Sequence, residues 1–167
     1  NKYIKGQTLF HEGNPPYGLY CINSGKFKLT KISSNAKDSI IRIIGPGDIL
    51  GHRSLFSNDN YRATATALED CHACFIDKKF IEKLIENNPS VSKQLISHLT
   101  KSMGVVEEKV ANFYQKNVRE RLAALLLEFN HKFGVDEDGQ RKLDIKLTRE
   151  EMASIVGVAT ETLIRFM

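Results

Sequence analysis

The sequence predicts an α+β protein in which a β-rich N-terminal part and a small helical C-terminal part are joined by a long helix. Two observations support this class. Short β-branched and aromatic runs separated by glycines fill residues 1–76, and apolar residues recur at helical spacing over most of residues 77–167. With 167 residues, 41% of them hydrophobic, the chain can bury one good core or two small ones.

The N-terminal part is predicted to be a sandwich or a small roll of short strands. The predicted strands cover residues 8–11, 19–23, 26–32, 39–44 and 63–68. Glycines separate them, together with the turn sequences Pro15-Pro16 and Asn23-Ser24-Gly25. Many short strands at such close spacing favour a sandwich or roll over a parallel sheet.

Two consecutive helices are predicted next, over residues 77–87 and 89–114, and the second is the longest element of the chain. Its apolar residues are spaced alternately three and four apart, as in the a and d positions of a heptad repeat. They are Ile96, Leu99, Met103, Val106, Val110 and Phe113. Burial inside one domain normally widens such a stripe. We therefore predict that this helix pairs with its own copy and that these six residues form the dimer interface.

The C-terminal part is predicted to contain a helix over residues 117–133, a polar turn over 134–142, a strand-like segment over 143–147 and then two short helices. Thr148 and Glu151 have the spacing of a capping box. Gly157 suits the left-handed conformation of a tight turn, and Ala153 permits close helix approach. This pattern predicts a helix-turn-helix, although a plain helical hairpin would look similar. The second helix would expose Thr160, Glu161, Ile164 and Arg165 on its outer face.

Charge and cysteine content restrict the function weakly. Residues 1–116 carry 16 Lys and Arg against 11 Asp and Glu, whereas residues 117–167 carry 8 against 9. The bulk charge of the C-terminal part therefore does not itself indicate DNA binding. Three cysteines are too few for a disulfide scaffold and fit a reducing compartment. Without a signal-like or membrane-spanning apolar segment, a cytoplasmic protein with no membrane partner is expected.

Taken together, these motifs resemble the CRP/FNR superfamily of bacterial transcription regulators. The resemblance covers essentially the whole chain and rests on Phe10-x-x-Gly13, Tyr20-x-Ile22-x-x-Gly25, Gly47-Asp48-Ile49-x-Gly51, Arg62 and residues 148–166. It implies a double-stranded β-helix (jelly-roll) sensor domain over residues 1–88, a dimerisation helix over 89–116 and a winged helix-turn-helix over 117–167. The helical pattern is still running at Met167, so the recognition helix is expected to be truncated there, with the wing beyond it. The implied protein is a non-enzymatic homodimer whose other partners are double-stranded DNA and RNA polymerase.

The resemblance also implies an effector pocket. In the family, a short helix and an arginine matching Arg62 face a phosphate, a geometry suited to anions. The positions carried over are Gly51, His52, Arg53, Ser54, Leu55, Arg62, Ala63, Thr64, Val106 and Glu107.

Three departures from the family pattern argue against cAMP. His52 replaces a glutamate that accepts the ribose hydroxyl, and Ala63 replaces a serine, although Thr64 can substitute. Val106-Glu107 replaces a Thr-Ser pair that reaches adenine. Each unpaired ligand group forfeits roughly 1–3 kcal/mol. We expect a different small anionic effector or none, with no certain cofactor. A cAMP-responsive regulator with an altered pocket stays open, and haem bound through His52 or His11 is not favoured.

Two other protein classes fit the motifs less well. A cyclic-nucleotide regulatory module of a channel or kinase would lack residues 148–166. A cupin-type metalloenzyme needs paired histidines with an acidic ligand, whereas the histidines here are scattered. Cys71-His-Ala-Cys74 is only half a zinc site, and residues 71 and 74 of a strand point to opposite faces. We therefore predict core cysteines, no metal and no catalysis.

On DNA, the outer face of the second short helix is predicted to read bases. Arg165 suits the O6 and N7 acceptors of guanine, Glu161 can accept from a cytosine amino group, and Ile164 can contact a thymine methyl. The resemblance places Thr160 where the cAMP sensor carries an arginine. Thr148 and Arg149 are expected to contact phosphates. A symmetric dimer would read a palindrome with half-sites about 34 Å apart.

Overall fold

A computed structural model describes residues 1–32 and 38–167 and has the predicted α+β organisation. The N-terminal strands are β1 (Lys2–Tyr3), β2 (Thr8–Phe10), β3 (Gly18–Ser24), β4 (Phe27–Ile32), β5 (Asp38–Ile44), β6 (Ile49–Leu50), β7 (Thr64–Ala67) and β8 (Cys71–Asp77), with α1 (His52–Ser57) between β6 and β7. The remaining elements are α2 (Lys78–Asn87), α3 (Pro89–Gln115), α4 (Val118–Phe133), β9 (Gly134–Glu137), β10 (Gln140–Leu143), α5 (Arg149–Val156) and α6 (Thr160–Phe166).

The N-terminal strands form two four-stranded antiparallel sheets, in the orders β1-β8-β3-β6 and β2-β7-β4-β5. Alternate side chains of both sheets meet in one core, because successive residues of a strand point to opposite faces. Phe27 is completely buried there, and the rings of Phe10 and Tyr61 stack with their centroids 3.9 Å apart. Aromatic side chains therefore fill the space between the sheets.

All five predicted strands are present, with ends that differ by one residue at most positions. Three observed strands of the N-terminal part were not predicted. β1 and β6 have two residues each, too few to show alternation. β8 turns Cys71 and Ala73 inward, and such small side chains give a weak hydrophobic pattern although they pack well against the opposite sheet.

Helix α3 confirms the predicted long helix, extending over 27 residues, about 40 Å. Pro89 occupies its first turn, where a missing N–H is harmless. None of its residues is buried in the described chain. The preceding helix α2 packs through Ile81 against Leu19 and Leu55, which anchors the start of α3 beside the N-terminal sheets.

The connection between α4 and α5 differs from the prediction. Residues 134–142, predicted as a polar turn, form the β9–β10 hairpin, because Asp138 and Gly139 both take positive φ angles of 51° and 75° and close a two-residue turn. The strand predicted over 143–147 is wrong beyond Leu143. From Asp144 the chain has no regular structure, and the Asp144 carboxylate instead pairs with Lys26 at 2.8 Å.

A second core joins the N-terminal and C-terminal parts of the chain. Ile40 and Ile43 of β5 pack with buried side chains of α4, α5 and α6. Polar contacts border this core: Lys28 pairs with Glu151 at 2.6 Å, and the Ile40 N–H donates to Ser154 Oγ at 2.9 Å. The C-terminal helices therefore dock on an N-terminal sheet. Within the described residues, no helix is long and apolar enough to cross a membrane.

Candidate functional site

The helix pair α5–α6 has the local geometry that its sequence predicts. The Glu151 N–H donates to Thr148 Oγ1 at 3.1 Å, and the Thr148 N–H donates to the Glu151 carboxylate at 2.9 Å, which completes the capping box. Gly157 ends α5 at a left-handed φ of 75°. Leu163 of α6 is completely buried among residues of α4 and α5. The two short helices are thus held at a defined crossing.

The predicted DNA-contacting residues are accessible on these two helices. Glu161, Ile164 and Arg165 are exposed on α6, and Thr160 is half-buried at its start. Thr148 and Arg149 are exposed at the start of α5. An exposed isoleucine between a carboxylate and a guanidinium gives α6 an acceptor, an apolar contact and a bidentate donor. These are the three chemistries that major-groove edges present.

The α3 seam, meaning Ile96, Leu99, Met103, Val106, Val110 and Phe113, lies on the surface of the described chain. Five of these side chains are more than half exposed, and Leu99 is half-buried. Phe113, at the C-terminal end of the seam, also contacts the C-terminal helices. Its ring lies under the Arg121 guanidinium, 4.6 Å from the centroid, and a Cβ on Gly157 would lie 3.0 Å from the ring. The seam therefore ends against the turn between α5 and α6.

The predicted effector segment begins at a tight turn that requires glycine. Gly51 caps α1 at a φ of 87°, and a Cβ at this position would lie 2.8 Å from the Gly18 carbonyl oxygen. Only glycine fits both the backbone angle and this close approach. Leu55 is buried against Leu19, and the buried Ser54 hydroxyl donates to the Asn60 carbonyl at 3.1 Å, while Arg53 is exposed. The hydroxyl of Ser54 is thus already engaged by the protein.

His52 is the most unusual residue of the segment. It is only 6% exposed, its Nδ1 has no hydrogen-bond partner among the described residues, and its ring lies edge-on to His98 of α3 with centroids 5.6 Å apart. Burial, assisted by the charge of a protonated His98, lowers the pKa of His52 from 6.5 to about 4. At neutral pH the imidazole is therefore uncharged and cannot neutralise an anion.

Arg62 also has a hydrogen-bond partner within the chain. Its side chain is 69% exposed and its guanidinium donates to Asp59 at 2.7 Å. The Ser57 hydroxyl and Arg62 together hold the pKa of Asp59 below its usual range. Thr64 Oγ1 accepts from the Glu12 N–H at 3.0 Å. An anion at this position would have to share Arg62 with a carboxylate.

The structure brings only part of the predicted effector set together. Residues 51–55 form the turn and start of α1, and Arg62, Ala63 and Thr64 follow in the loop and strand after it. Val106 and Glu107 are exposed on α3. The observed contact between α1 and α3 runs instead through His98, two helical turns earlier. Sequence reasoning missed His98 because nothing local distinguishes it from other polar residues of α3.

The cysteine prediction is half wrong. Cys71 is fully buried in the core, but Cys74 is exposed, because it occupies the opposite face of β8. Among residues 1–32 and 38–167, no group of three His, Cys, Asp or Glu side chains is arranged to hold a metal ion. Two clefts of about 340 and 290 Å³ lie between the N-terminal sheet and residues 144–148, and no predicted effector residue lines either of them.

Comparison with known proteins agrees with this architecture. Residues 1–88 match the cyclic nucleotide-binding domain family, and residues 120–167 match the Crp-like helix-turn-helix domain family. The chain is 31% identical over 160 residues to the CRP-like cAMP-activated global transcriptional regulator of Mycobacterium tuberculosis, covering 96% of this chain and 71% of that protein. It is 31% identical over 170 residues to the cAMP-activated global transcriptional regulator CRP of Salmonella typhimurium, covering 100% and 80%.

Solved structures share the fold. FixK2 from Bradyrhizobium japonicum superposes with a TM-score of 0.87 at 23% identity, covering 99% of this chain and 80% of that one. A CRP/FNR family transcriptional regulator from Thermus thermophilus superposes with a TM-score of 0.80 at 22% identity, covering 99% and 82%.

Proposed function

Because this chain belongs to the CRP/FNR family of DNA-binding transcription regulators, we propose that it acts as a homodimer that reads a palindromic site. The relatives to which it was compared are transcription regulators and not enzymes. In this proposal, residues 1–88 are the sensor domain, with a jelly-roll fold. Residues 89–116 are the dimerisation helix, and residues 117–167 belong to a winged helix-turn-helix. RNA polymerase is a further proposed partner.

The observation that carries the proposal is the surface of α3. The exposed fractions of its apolar seam are 64% for Ile96 and Met103, 54% for Val106 and Phe113 and 52% for Val110. A row of large apolar side chains this long is unfavourable in water, and a second copy of the same heptad helix covers it with matched spacing. Two copies related by a two-fold axis would present two α6 helices, so the DNA site would be a palindrome with half-sites about 34 Å apart.

Base reading is assigned to α6. Arg165 would donate to guanine, Glu161 would accept from a cytosine amino group, and Ile164 would pack on a thymine methyl. Thr148 and Arg149 would hold phosphates and set the orientation of α5 without specifying sequence. Thr160 begins α6 and completes the outer face that would lie in the groove.

We propose a small effector other than cAMP, or none. The neutral His52 and the Arg62–Asp59 pair leave little positive charge for a phosphate, and Ala63 brings no hydroxyl. cAMP is the second candidate, because two relatives at 31% identity are described as cAMP-activated. Their likeness in sequence covers nearly the whole chain, so the altered residues would have to be tolerated within an otherwise similar pocket.

Coupling between effector and DNA is proposed to run along α3. His98 contacts His52 near the start of the effector segment, and Phe113 contacts the α5–α6 turn. A shift of α3 on its partner would therefore move both ends together. The effector must bind the two arrangements with different affinity, or it shifts nothing.

The test of the dimer uses two neighbouring valines. Val106→Glu places a charge on the seam, whereas Val105→Glu places it on an adjacent position that is 49% exposed and off the seam. We expect Val106→Glu to lower the mass measured by light scattering to that of a monomer and to weaken DNA binding in parallel. Val105→Glu should remain dimeric. An unchanged mass for Val106→Glu would refute the placement of the seam.

The test of the effector is calorimetric titration of cAMP, with Arg62→Ala as the matched variant. Absence of heat and of a thermal shift is the expected result. Binding at micromolar or lower concentration that is lost in Arg62→Ala would instead establish the cyclic-nucleotide candidate. It would also show that His52 and Ala63 are compatible with the nucleotide.

A further inference from the structure

Two cysteines far apart in sequence lie directly opposite each other on neighbouring strands. Cys21 of β3 is in register with Cys74 of β8. Ile22 and Ala73, one residue away on each strand, point into the core, so both cysteines point to the outer face of the sheet. Both thiols are free, with Cys21 half-buried and Cys74 exposed. Directly opposed side chains have Cβ atoms about 4.5–5.5 Å apart.

Backbone hydrogen bonds show that Cys21 and Cys74 form a hydrogen-bonded pair of the antiparallel ladder. The Ile22 N–H donates to the Asp48 carbonyl and the Ile22 carbonyl accepts from the Gly47 N–H. The backbone groups of Ile22 therefore face away from β8, and those of Cys21 face towards it. In such a hydrogen-bonded pair the Cα atoms are about 5.5 Å apart, inside the range of about 4.4–6.8 Å that a disulfide spans.

A disulfide here would be strained. Its Cβ atoms must approach to about 3.8 Å, so the two strands would have to close by about 1 Å or more from ordinary sheet spacing. Strain of this kind makes a disulfide easier to reduce, a property of labile and regulatory disulfides rather than of structural ones.

The third cysteine, Cys71, is inaccessible. Cys71 is fully buried and its thiol donates to the Lys26 and Glu69 carbonyls. Burial raises the pKa of both Cys71 and Cys21, and a negative charge on Cys74 raises that of Cys21 further, as expected for two sulfur atoms close in space. Cys74 is therefore the accessible thiol that reacts first, Cys21 is its neighbour, and Cys71 serves as an internal control.

We propose that Cys21 and Cys74 form a reversible dithiol–disulfide site on the outer face of the N-terminal sheet. The oxidant is a low-molecular-weight disulfide such as glutathione disulfide. The Cys74 thiolate attacks one sulfur of the oxidant and releases one glutathione. The Cys21 thiolate then attacks Cys74 Sγ and releases the second. The oxidant gains two electrons, and the two protein protons end on the two glutathione thiols.

The site adjoins contacts that support the helices. The next outward pair along the same strands is Leu19 with Ile76, and this pair belongs to the cluster that holds Leu55 of α1 and Ile81 of α2. On its other side Cys21 is in register with Ile49 of β6, two residues before the turn at Gly51. Closing the strands would therefore act on the base of α1 and α2.

The experiment incubates the full chain with glutathione disulfide, alkylates the remaining thiols and measures intact and peptide masses. We expect the wild-type chain to lose two hydrogen atoms, with a peptide linking Cys21 to Cys74 that dithiothreitol releases. Cys71 should be alkylated only after unfolding. Cys21→Ser should stop at a glutathione adduct on Cys74, and Cys71→Ser should behave like the wild type.

Two outcomes would overturn the proposal. One is a lasting glutathione adduct on Cys74 of the wild-type chain while Cys21 stays free, which would mean that the strands do not close. The other is a disulfide that involves Cys71 or joins two chains. Circular dichroism of each serine variant checks that its sheets are intact, so that an unreacted variant is not mistaken for an unfolded one.

Discussion

Replacing His52 with glutamine should make the protein less sensitive to acid. In the folded chain His52 is buried with a pKa of about 4, while in the unfolded chain it returns to about 6.5. The unfolded state therefore takes up the proton first as the pH falls. The stability that depends on a neutral His52 is complete above about pH 6.5 and is lost on acidification towards pH 4.

The magnitude follows from the two pKa values. Proton linkage at this single site removes about 2 kcal/mol of the free energy of unfolding by about pH 5, and about 3 kcal/mol by about pH 4. Other groups titrate over the same range, so the useful quantity is the difference between wild type and variant. His52→Gln should lose about 2 kcal/mol less than wild type between about pH 7.5 and pH 5.

The assay is urea unfolding followed by circular dichroism at the two pH values, with a fixed protein concentration because dimerisation would contribute to apparent stability. His72→Gln is the matched control, since His72 is exposed on β8, and it should follow the wild type. His98→Gln should show part of the same reduction in acid sensitivity, because His98 is the second cause of the lowered pKa of His52. Equal pH dependence in His52→Gln and wild type would refute a buried neutral histidine.

Two further substitutions test the C-terminal helices. Arg165→Ala should weaken specific DNA binding by about 1–3 kcal/mol and relax base preference at one position per half-site. Fluorescence anisotropy with a selected site and its single-base variants measures both effects, and uniform weakening on all sequences would contradict base reading. The Lys28–Glu151 pair joins a sheet strand to α5 with both side chains mostly buried. A double-mutant cycle with Lys28→Met and Glu151→Gln should give a coupling free energy of about 1 kcal/mol in urea unfolding, and additive effects would show that this ion pair does not form in solution.

Local features were predictable because their causes lie within a few residues. The Thr148–Glu151 capping box needs only two side chains three positions apart, and Gly157 ends α5 because its own backbone takes a left-handed angle. The α3 seam could be predicted because heptad spacing is a property of one helix. The turn at Asp138-Gly139 also had a local signal, since this dipeptide favours two-residue hairpins, but the polar composition around it was interpreted as a simple turn.

The sequence by itself therefore determined helices α2 to α6, the caps of α5, five of the ten described strands and the outer face of α6. Only the tertiary structure decided which distant residues meet. Lys28 and Glu151 are 123 positions apart, and nothing in the pattern of β4 distinguishes a partner in the other sheet from a partner in α5. The burial of His52 against His98 and the pairing of Cys21 with Cys74 follow in the same way from packing and strand register. An apolar or polar pattern states that a side chain needs a partner, whereas the three-dimensional arrangement of the chain selects it.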